Sequence, residues 1–240
     1  MPLREAAAPV AVLGVLGAVN LLNNRWAPQA SVPTSVAATA VVAAIGRGHA
    51  AGRRPAGPPA PGDARARRRR GLRYGGAAAG AVAAAYTVAA VLPATRPLFA
   101  DDRAEDTLPG VLRQALVDVP LGTVLLEETA FRGVLPAVLR QTCGPVGAEW
   151  ASIALFGLWH VLPSGDLLTA NPALTEVSTG GRTPTRLGAA AGAVVTTAAG
   201  GAVFTLLRQR SGSLLAPALL HTALNSGGYL ASWAVRRLSR

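Results

Sequence analysis

The stretch LLEETAFRGVL, residues 125–135, places three charged side chains inside an otherwise apolar segment. A charge at the centre of a bilayer costs at least about 2.5–3.5 kcal/mol, so residues of this kind suggest a function. Glu128 and Arg132 are four positions apart and can pair on one face of a helix. Glu127 lies about 100° round the helix from Glu128 and has no obvious partner within its own helix. An unpaired carboxylate of this kind is suited to act as a general base. On this segment alone, the three charges serve equally well to tie helices together.

The rest of the chain has the composition of a membrane protein. Half of its 240 residues are hydrophobic, and its long apolar runs contain no Asp, Glu, Lys or Arg. A run of about 20 apolar residues is enough to cross a bilayer as a helix. We therefore predict an all-α, polytopic bundle of about 7–8 transmembrane helices. The apolar runs are residues 12–22, 30–45, 74–93, 150–162, 187–207 and 214–235.

The net charge of +11 is concentrated in one segment. All 23 basic residues are arginine, and nine of them lie in the Pro- and Gly-rich residues 47–73, between two apolar runs. This arrangement, without interleaved aromatic side chains, favours the membrane surface over nucleic acid. We expect anionic lipid as a partner of this loop, and no nucleic acid. Its Pro, Gly and like-charge content predicts disorder.

Charge also predicts the orientation of the chain and its domain boundaries. Residues 1–46 form an N-terminal transmembrane hairpin, and the Arg-rich loop 47–73 is cytoplasmic by the positive-inside rule. Residues 74–109 supply the third span and an acidic external loop, and residues 110–235 form the core. A single final span would put the basic C-terminus outside, against the rule. We therefore favour two short helices that meet at residues 226–228, with the side of the C-terminus left open.

Two of the three histidines lie in apolar runs, each with a useful neighbour one helical turn away. FGLWH, residues 156–160, contains the first, and HTALN, residues 221–225, contains the second. The third, His49, lies in the arginine loop, where a solvated role is expected. The turn at residues 143–145 lies nearly midway between Glu127 and His160. An antiparallel hairpin would bring both to the same depth, about 24 Å from the turn, although the sequence leaves the convergence of their faces open.

Taken together and in order, three motifs resemble those of a known family. EETAFR is similar to an EExxxR motif, FGLWH to FxxxH and HTALN to HxxxN. The chain thereby resembles the CAAX-protease and bacteriocin-processing (CPBP) family of intramembrane proteases, which includes the type II CAAX prenyl endopeptidases. The resemblance covers roughly residues 110–230. It implies hydrolysis of a peptide bond in a membrane-associated or C-terminal, CAAX-like peptide substrate.

The resemblance also implies roles for the polar motif residues. Glu127 with His160 activates a water, and His221 and Asn225 stabilise the oxyanion, as donors aimed at developing charge can do.

The remaining two motif residues, Glu128 and Arg132, are assigned to holding their helix in place, with Glu128 as a possible second catalytic carboxylate. The family is often labelled as metalloproteases, and Glu127, His160 and His221 could form a two-histidine, one-carboxylate zinc site. The chain has no HExxH spacing. We therefore favour a metal-independent glutamate mechanism.

Two other functions use intramembrane Glu and His. A proton-coupled transporter relays protons through such residues. An inactive member of the family would serve as an immunity or scaffold protein. Neither requires all six polar motif residues, so a membrane-embedded protease is preferred. The arginine-only basic composition suggests a bacterial protein, and we expect it in the inner membrane as a multi-pass protein.

Overall fold

The computed structural model describes residues 3–52, 63–171, 173, 176–177, 180 and 185–238, and this part of the chain contains helices and turns but no strand. The α-helices are α1 (Leu3–Leu21), α2 (Ser31–Ala51), α3 (Asp63–Val91), α4 (Leu108–Arg113), α5 (Leu125–Glu128), α6 (Leu135–Trp159), α7 (Val161–Ala170), α8 (Arg186–Ser211) and α9 (Leu215–Leu238). Short 3₁₀ turns at Pro28–Ala30 and Arg96–Phe99 lie in the connections before α2 and α4.

The central helix of the bundle runs from residue 108 to residue 143 and is interrupted by three π segments. These are Gln114–Asp118, Pro120–Val124 and Thr129–Val134. Wide π turns inside helices are frequent at functional sites. In each segment one backbone carbonyl accepts a hydrogen bond from a serine of a different helix: Ser226 to Ala115 (2.7 Å), Ser35 to Gly122 (2.6 Å) and Ser152 to Phe131 (2.6 Å).

A sharp turn at Gly144 divides the long element α6. Gly144 has φ 67° and ψ 173°, a conformation that glycine adopts at little cost, and Pro145 follows it. The chain reverses there, and Ser152 then contacts Phe131. The predicted turn at residues 143–145 is therefore confirmed, and the two arms form an antiparallel hairpin.

Helices α3 and α9 pack side by side and run in the same direction. Near their N-termini, a Cβ atom on Gly71 would lie 2.6 Å from Ser213 Oγ, so only glycine allows this approach. Further along, the Tyr86 hydroxyl donates a hydrogen bond to the Leu224 carbonyl (3.2 Å). At the C-terminal ends a small apolar cluster joins them: Ala90, Phe99, Ala231 and Val235. The C-terminus of α9 therefore lies beside the acidic loop that follows α3.

Two predictions about this region are wrong. Residues 47–51 of the predicted disordered loop are the end of α2. Residues 63–73 of that loop are the first turns of α3, because packing of Gly71 and Gly75 against the start of α9 stabilises them. Residues 53–62 of that loop lie outside the described residues. The last apolar run is one continuous helix, α9, not two. Gly227 does not break it, but gives Tyr86 room to approach, since a Cβ there would lie 2.9 Å from that ring.

Four helical segments in the described part of the chain are long and apolar enough to cross a membrane. They are Ala7–Trp26, Pro28–Ala51, Asp63–Val91 and Leu187–Ser211. Much of their surface faces outward, as a lipid environment requires. The protein is therefore an all-α membrane protein.

Candidate active site

Three polar side chains from separate helical elements converge inside the bundle. Glu127 lies on α5, His160 at the junction of α6 and α7, and His221 on α9. The Oε2 atom of Glu127 lies 3.7 Å from Nε2 of His160 and 3.7 Å from Nε2 of His221. This distance is too long for a direct hydrogen bond and short enough for one water to contact both partners. Oε2 is buried and has no hydrogen-bond partner among the described residues.

The second glutamate of the motif holds a histidine and an arginine together. Glu128 Oε1 lies 2.8 Å from His221 Nδ1 and 3.4 Å from Arg132 Nη1. All three side chains are nearly inaccessible to solvent. The sequence predicted the Glu128–Arg132 pair, but it did not predict the contact between Glu128 and His221.

The hydrogen bonds of the two imidazoles define which ring nitrogen faces Glu127. Nδ1 of His160 lies 2.8 Å from the Phe156 carbonyl, which can only accept, so Nδ1 carries a proton. Nδ1 of His221 is held in the same way by the Glu128 carboxylate. Nε2 of each ring is therefore the atom turned towards Glu127, and it is free to exchange a proton.

The Arg132 guanidinium lies between two aromatic rings. Its Cζ atom is 3.9 Å from the centroid of Phe156 and 4.9 Å from the centroid of Phe204. Phe204 also stacks on His221, with centroids 4.8 Å apart and planes inclined by 20°. Cation–π contacts of this kind are worth about 2 kcal/mol or more when desolvated. Phe204 could not be recognised from the sequence, because it lies in an apolar run like any core residue.

A tryptophan donates a hydrogen bond to the other carboxylate oxygen of Glu127. Trp159 Nε1 donates a hydrogen bond to Glu127 Oε1 (2.9 Å). The residue lies inside FGLWH, beside His160, and this position was the only signal available for it. The sequence interpretation used the flanking Phe156 and His160 and overlooked it.

Asn225 stands apart from the other predicted site residues. It is half-buried and lies one turn after His221 on α9. Among the described residues it forms no hydrogen bond, including none with Glu127, Glu128, Arg132 or either histidine. The structure therefore brings five of the six predicted residues together, and places Asn225 on the adjacent turn.

The geometry of the cluster bears on whether the three candidate ligands could hold zinc. Glu127, His160 and His221 offer the atom types that zinc prefers. Neighbouring ligands in a tetrahedral zinc site, each 2.0–2.1 Å from the metal, lie about 3.3 Å apart, shorter than the observed 3.7 Å. In the part of the chain described, no group of three or more His, Cys, Asp or Glu is arranged to hold a metal ion. The donor types fit zinc, but the spacing of the donor atoms does not.

The family comparison covers the part of the chain that contains these site residues. Residues 111–227 match the family described as "Rce1-like: Type II CAAX prenyl endopeptidase Rce1-like". This range, which is 117 of the 240 residues, is similar to that family, and the predicted CPBP resemblance is confirmed. No match was found among curated proteins or among solved structures.

Proposed function

We propose that the protein is an intramembrane endopeptidase that hydrolyses a peptide bond of a membrane-associated or C-terminal, CAAX-like peptide. The observation that carries this proposal is the buried Oε2 of Glu127, which faces Nε2 of both His160 and His221 at 3.7 Å. A carboxylate and two imidazoles around one point form a site for activating water. The match over residues 111–227 supports the same reaction class.

In the proposed reaction, Glu127 Oε2 accepts a proton from a water that His160 Nε2 helps to hold. The water oxygen attacks the peptide carbonyl carbon, and the carbonyl electrons move to its oxygen. When the C–N bond breaks, the proton on Glu127 passes to the leaving amine. The buried position of Glu127 strengthens each of these interactions, because the local dielectric is low.

Stabilisation of the oxyanion is assigned to His221. A protonated His221 pairs with Glu128 through Nδ1 and donates Nε2–H to the developing negative charge. Arg132 shares the same Glu128 oxygen and compensates the second negative charge of the motif. Asn225, half-buried on the next turn, is proposed as a second donor once a substrate is bound.

We propose seven crossings, with the Arg-rich end of the bundle at the cytoplasmic face of a bacterial inner membrane. We propose that anionic lipid binds the outward face of α3 there. Arg67 turns towards Asp63 (3.9 Å), and Arg70 donates to the Ser211 carbonyl (3.2 Å). Arg65, Arg68, Arg69 and Arg73 are exposed and form the proposed lipid-binding face.

A direct experiment compares purified wild-type protein with Glu127→Gln in detergent. The probe is a quenched fluorescent peptide that ends in a prenylated CAAX sequence, and a second set of unprenylated transmembrane peptides covers the broader substrate class. The wild type is expected to cleave members of one set, and Glu127→Gln to lose at least about 100-fold in rate. Equal cleavage by both proteins would contradict the role of Glu127.

Two further measurements separate the alternatives. Chelator treatment of an active preparation is expected to leave the rate unchanged; loss of activity with release of stoichiometric zinc would favour the metal mechanism. A transporter would instead show ion-coupled flux in proteoliposomes with no peptide cleaved.

Comparing membrane proteomes of wild-type and Glu127→Gln cells would identify a natural substrate as a protein that stays full length in the mutant.

A further inference from the structure

We infer that helix α1, which lies outside the family-matched residues 111–227, helps to position Glu127 through Asn20 and Trp159. Two hydrogen bonds form the link. The Asn20 side-chain amide donates to the Trp159 carbonyl (3.0 Å), and the Trp159 indole N–H donates to Glu127 Oε1 (2.9 Å). The catalytic consequence rests on the proposed function, whereas the structural link does not.

A proline explains why Asn20 is needed. In a helix, the Trp159 carbonyl would accept from the backbone N–H of residue 163, but residue 163 is proline and has no N–H. The carbonyl is left free at the point where α6 ends and α7 begins. An unpaired carbonyl in an apolar environment costs free energy, and Asn20 supplies the missing donor. The bond therefore fixes the end of α6 against α1.

The indole of Trp159 determines which carboxylate oxygen faces the histidines. Because Oε1 of Glu127 is occupied by the indole N–H, the carboxylate is held with Oε2 towards His160 and His221. A general base must be held close to its productive geometry, and a displacement of about 1 Å can cost about 100-fold in rate. Trp159 and Asn20 are thus positioning residues, and neither touches the reacting atoms.

Asn20 is itself held in place from the next turn. The Asn24 side-chain amide donates to Asn20 Oδ1 (2.7 Å) and to the Asn20 carbonyl (2.8 Å). With its oxygen occupied by Asn24, the amide nitrogen of Asn20 is the atom directed at Trp159. Nearby Asn23 bonds instead to Ser35 Oγ (3.0 Å), which makes Asn23 a matched control.

The structural link is tested without any substrate. The indole N–H resonances of ¹⁵N-Trp-labelled protein are recorded in detergent, and the Trp159 signal is identified by its loss in Trp159→Phe. We expect Glu127→Ala and Asn20→Ala to move this signal upfield, and Asn23→Ala to leave it in place. An unchanged Trp159 signal in either Glu127→Ala or Asn20→Ala would overturn the inference. The isosteric Asn20→Leu replaces Asn20→Ala if the alanine variant does not fold.

The catalytic consequence is tested on the prenylated peptide described above. Asn20→Ala and Trp159→Phe should each lower kcat roughly tenfold, with KM changed less than about twofold. The double variant should lose little more than either single one, because both changes break the same link. Additive losses, or an active wild type unaffected by Asn20→Ala, would contradict the positioning role. A wild type that cleaves nothing would instead contradict the proposed function and leave the resonance test to decide the link.

Discussion

The Nδ1 atom of His221 lies 2.8 Å from Oε1 of Glu128, although the two residues are 93 positions apart in the chain. This contact gives the second glutamate of the motif a role that differs from that of the first. Glu128 orients an imidazole and neutralises Arg132, whereas Glu127 directs an unpaired oxygen towards two imidazoles. The adjacent carboxylates should therefore respond differently to the same substitution.

We expect Glu128→Gln to destabilise the fold and Glu127→Gln to leave its stability almost unchanged. Glu128→Gln removes the carboxylate that is paired directly with the buried Arg132 guanidinium, which costs about 3 kcal/mol. Glu127 forms no direct ion pair with an arginine among the described residues, and glutamine at that position still accepts from Trp159. Thermal unfolding in detergent measures the difference. Equal midpoints for the two variants would contradict the assignment of Arg132 to Glu128.

Ser152→Ala should destabilise the bundle by about 1–3 kcal/mol, because it leaves the buried Phe131 carbonyl without its donor. The matched control is Thr87→Ala, whose hydroxyl bonds to the Ala83 carbonyl within its own exposed helix turn. The control should change stability by less than about 0.5 kcal/mol. Denaturant titrations of both variants test the prediction, which fails if they lose stability equally.

Much of the fold could be predicted from the sequence, because it depends on composition and on a few turn residues. Long uncharged runs identify membrane helices, and glycine followed by proline identifies the turn at residues 143–145. The helical start of α3 could not be predicted, because a run of arginines looks disordered until its packing partner is known. That partner, the beginning of α9, lies about 140 residues further along the chain.

In the site, too, contacts within one helix could be predicted from the sequence, whereas contacts between distant helices could not. Spacing within one helix predicts pairs such as Glu128 with Arg132, since positions four apart share a face. Helical geometry also predicted a common depth for Glu127 and His160. It could not predict that His221 reaches Glu128, or that Phe204 stacks on His221, because these contacts depend on how separate helices rotate and pack.

The direction of α9 predicts the side of the C-terminus. In a Cys143→Ser background, a cysteine at Leu238 should be labelled from the same side of the membrane as one at Glu105, and from the side opposite Arg68. The Arg236 guanidinium supports this, since it donates to the carbonyls of residues 101 and 104. A membrane-impermeant thiol reagent applied to oriented vesicles makes the measurement. Shared labelling of residues 238 and 68 would rule out a single final span.

Asp101, in the loop beside that C-terminus, should make stability depend on pH. Burial raises the pKa of the Asp101 carboxyl, but hydrogen bonds from the Arg103 guanidinium and backbone N–H outweigh it, so the pKa is lowered overall. A lowered pKa in the folded state means that the ionised carboxylate stabilises the fold above about pH 3.9 and that this contribution is lost as the pH falls through the folded pKa.

Accordingly, Asp101→Asn should lower the unfolding temperature at pH 7, and its difference from wild type should shrink as the pH falls below about 4. Asp102→Asn, at the exposed neighbouring position, serves as the control and should show no such convergence. Differential scanning fluorimetry across this range gives both curves. A destabilisation of Asp101→Asn that stays constant from pH 7 to pH 3 would contradict the assignment.

The π segments of the central helix have a consequence for changes in chain length. Each wide turn contains one residue more than the α-helical turn it replaces, and a residue rotates the helix by about 100°. Deleting a single residue within Gln114–Asp118 would close that turn to α-geometry and leave every later side chain near its present rotation, because the wide turn had absorbed the extra residue. A chain that is one residue shorter there would keep all of its apolar helices and still direct its carboxylates towards the two histidines.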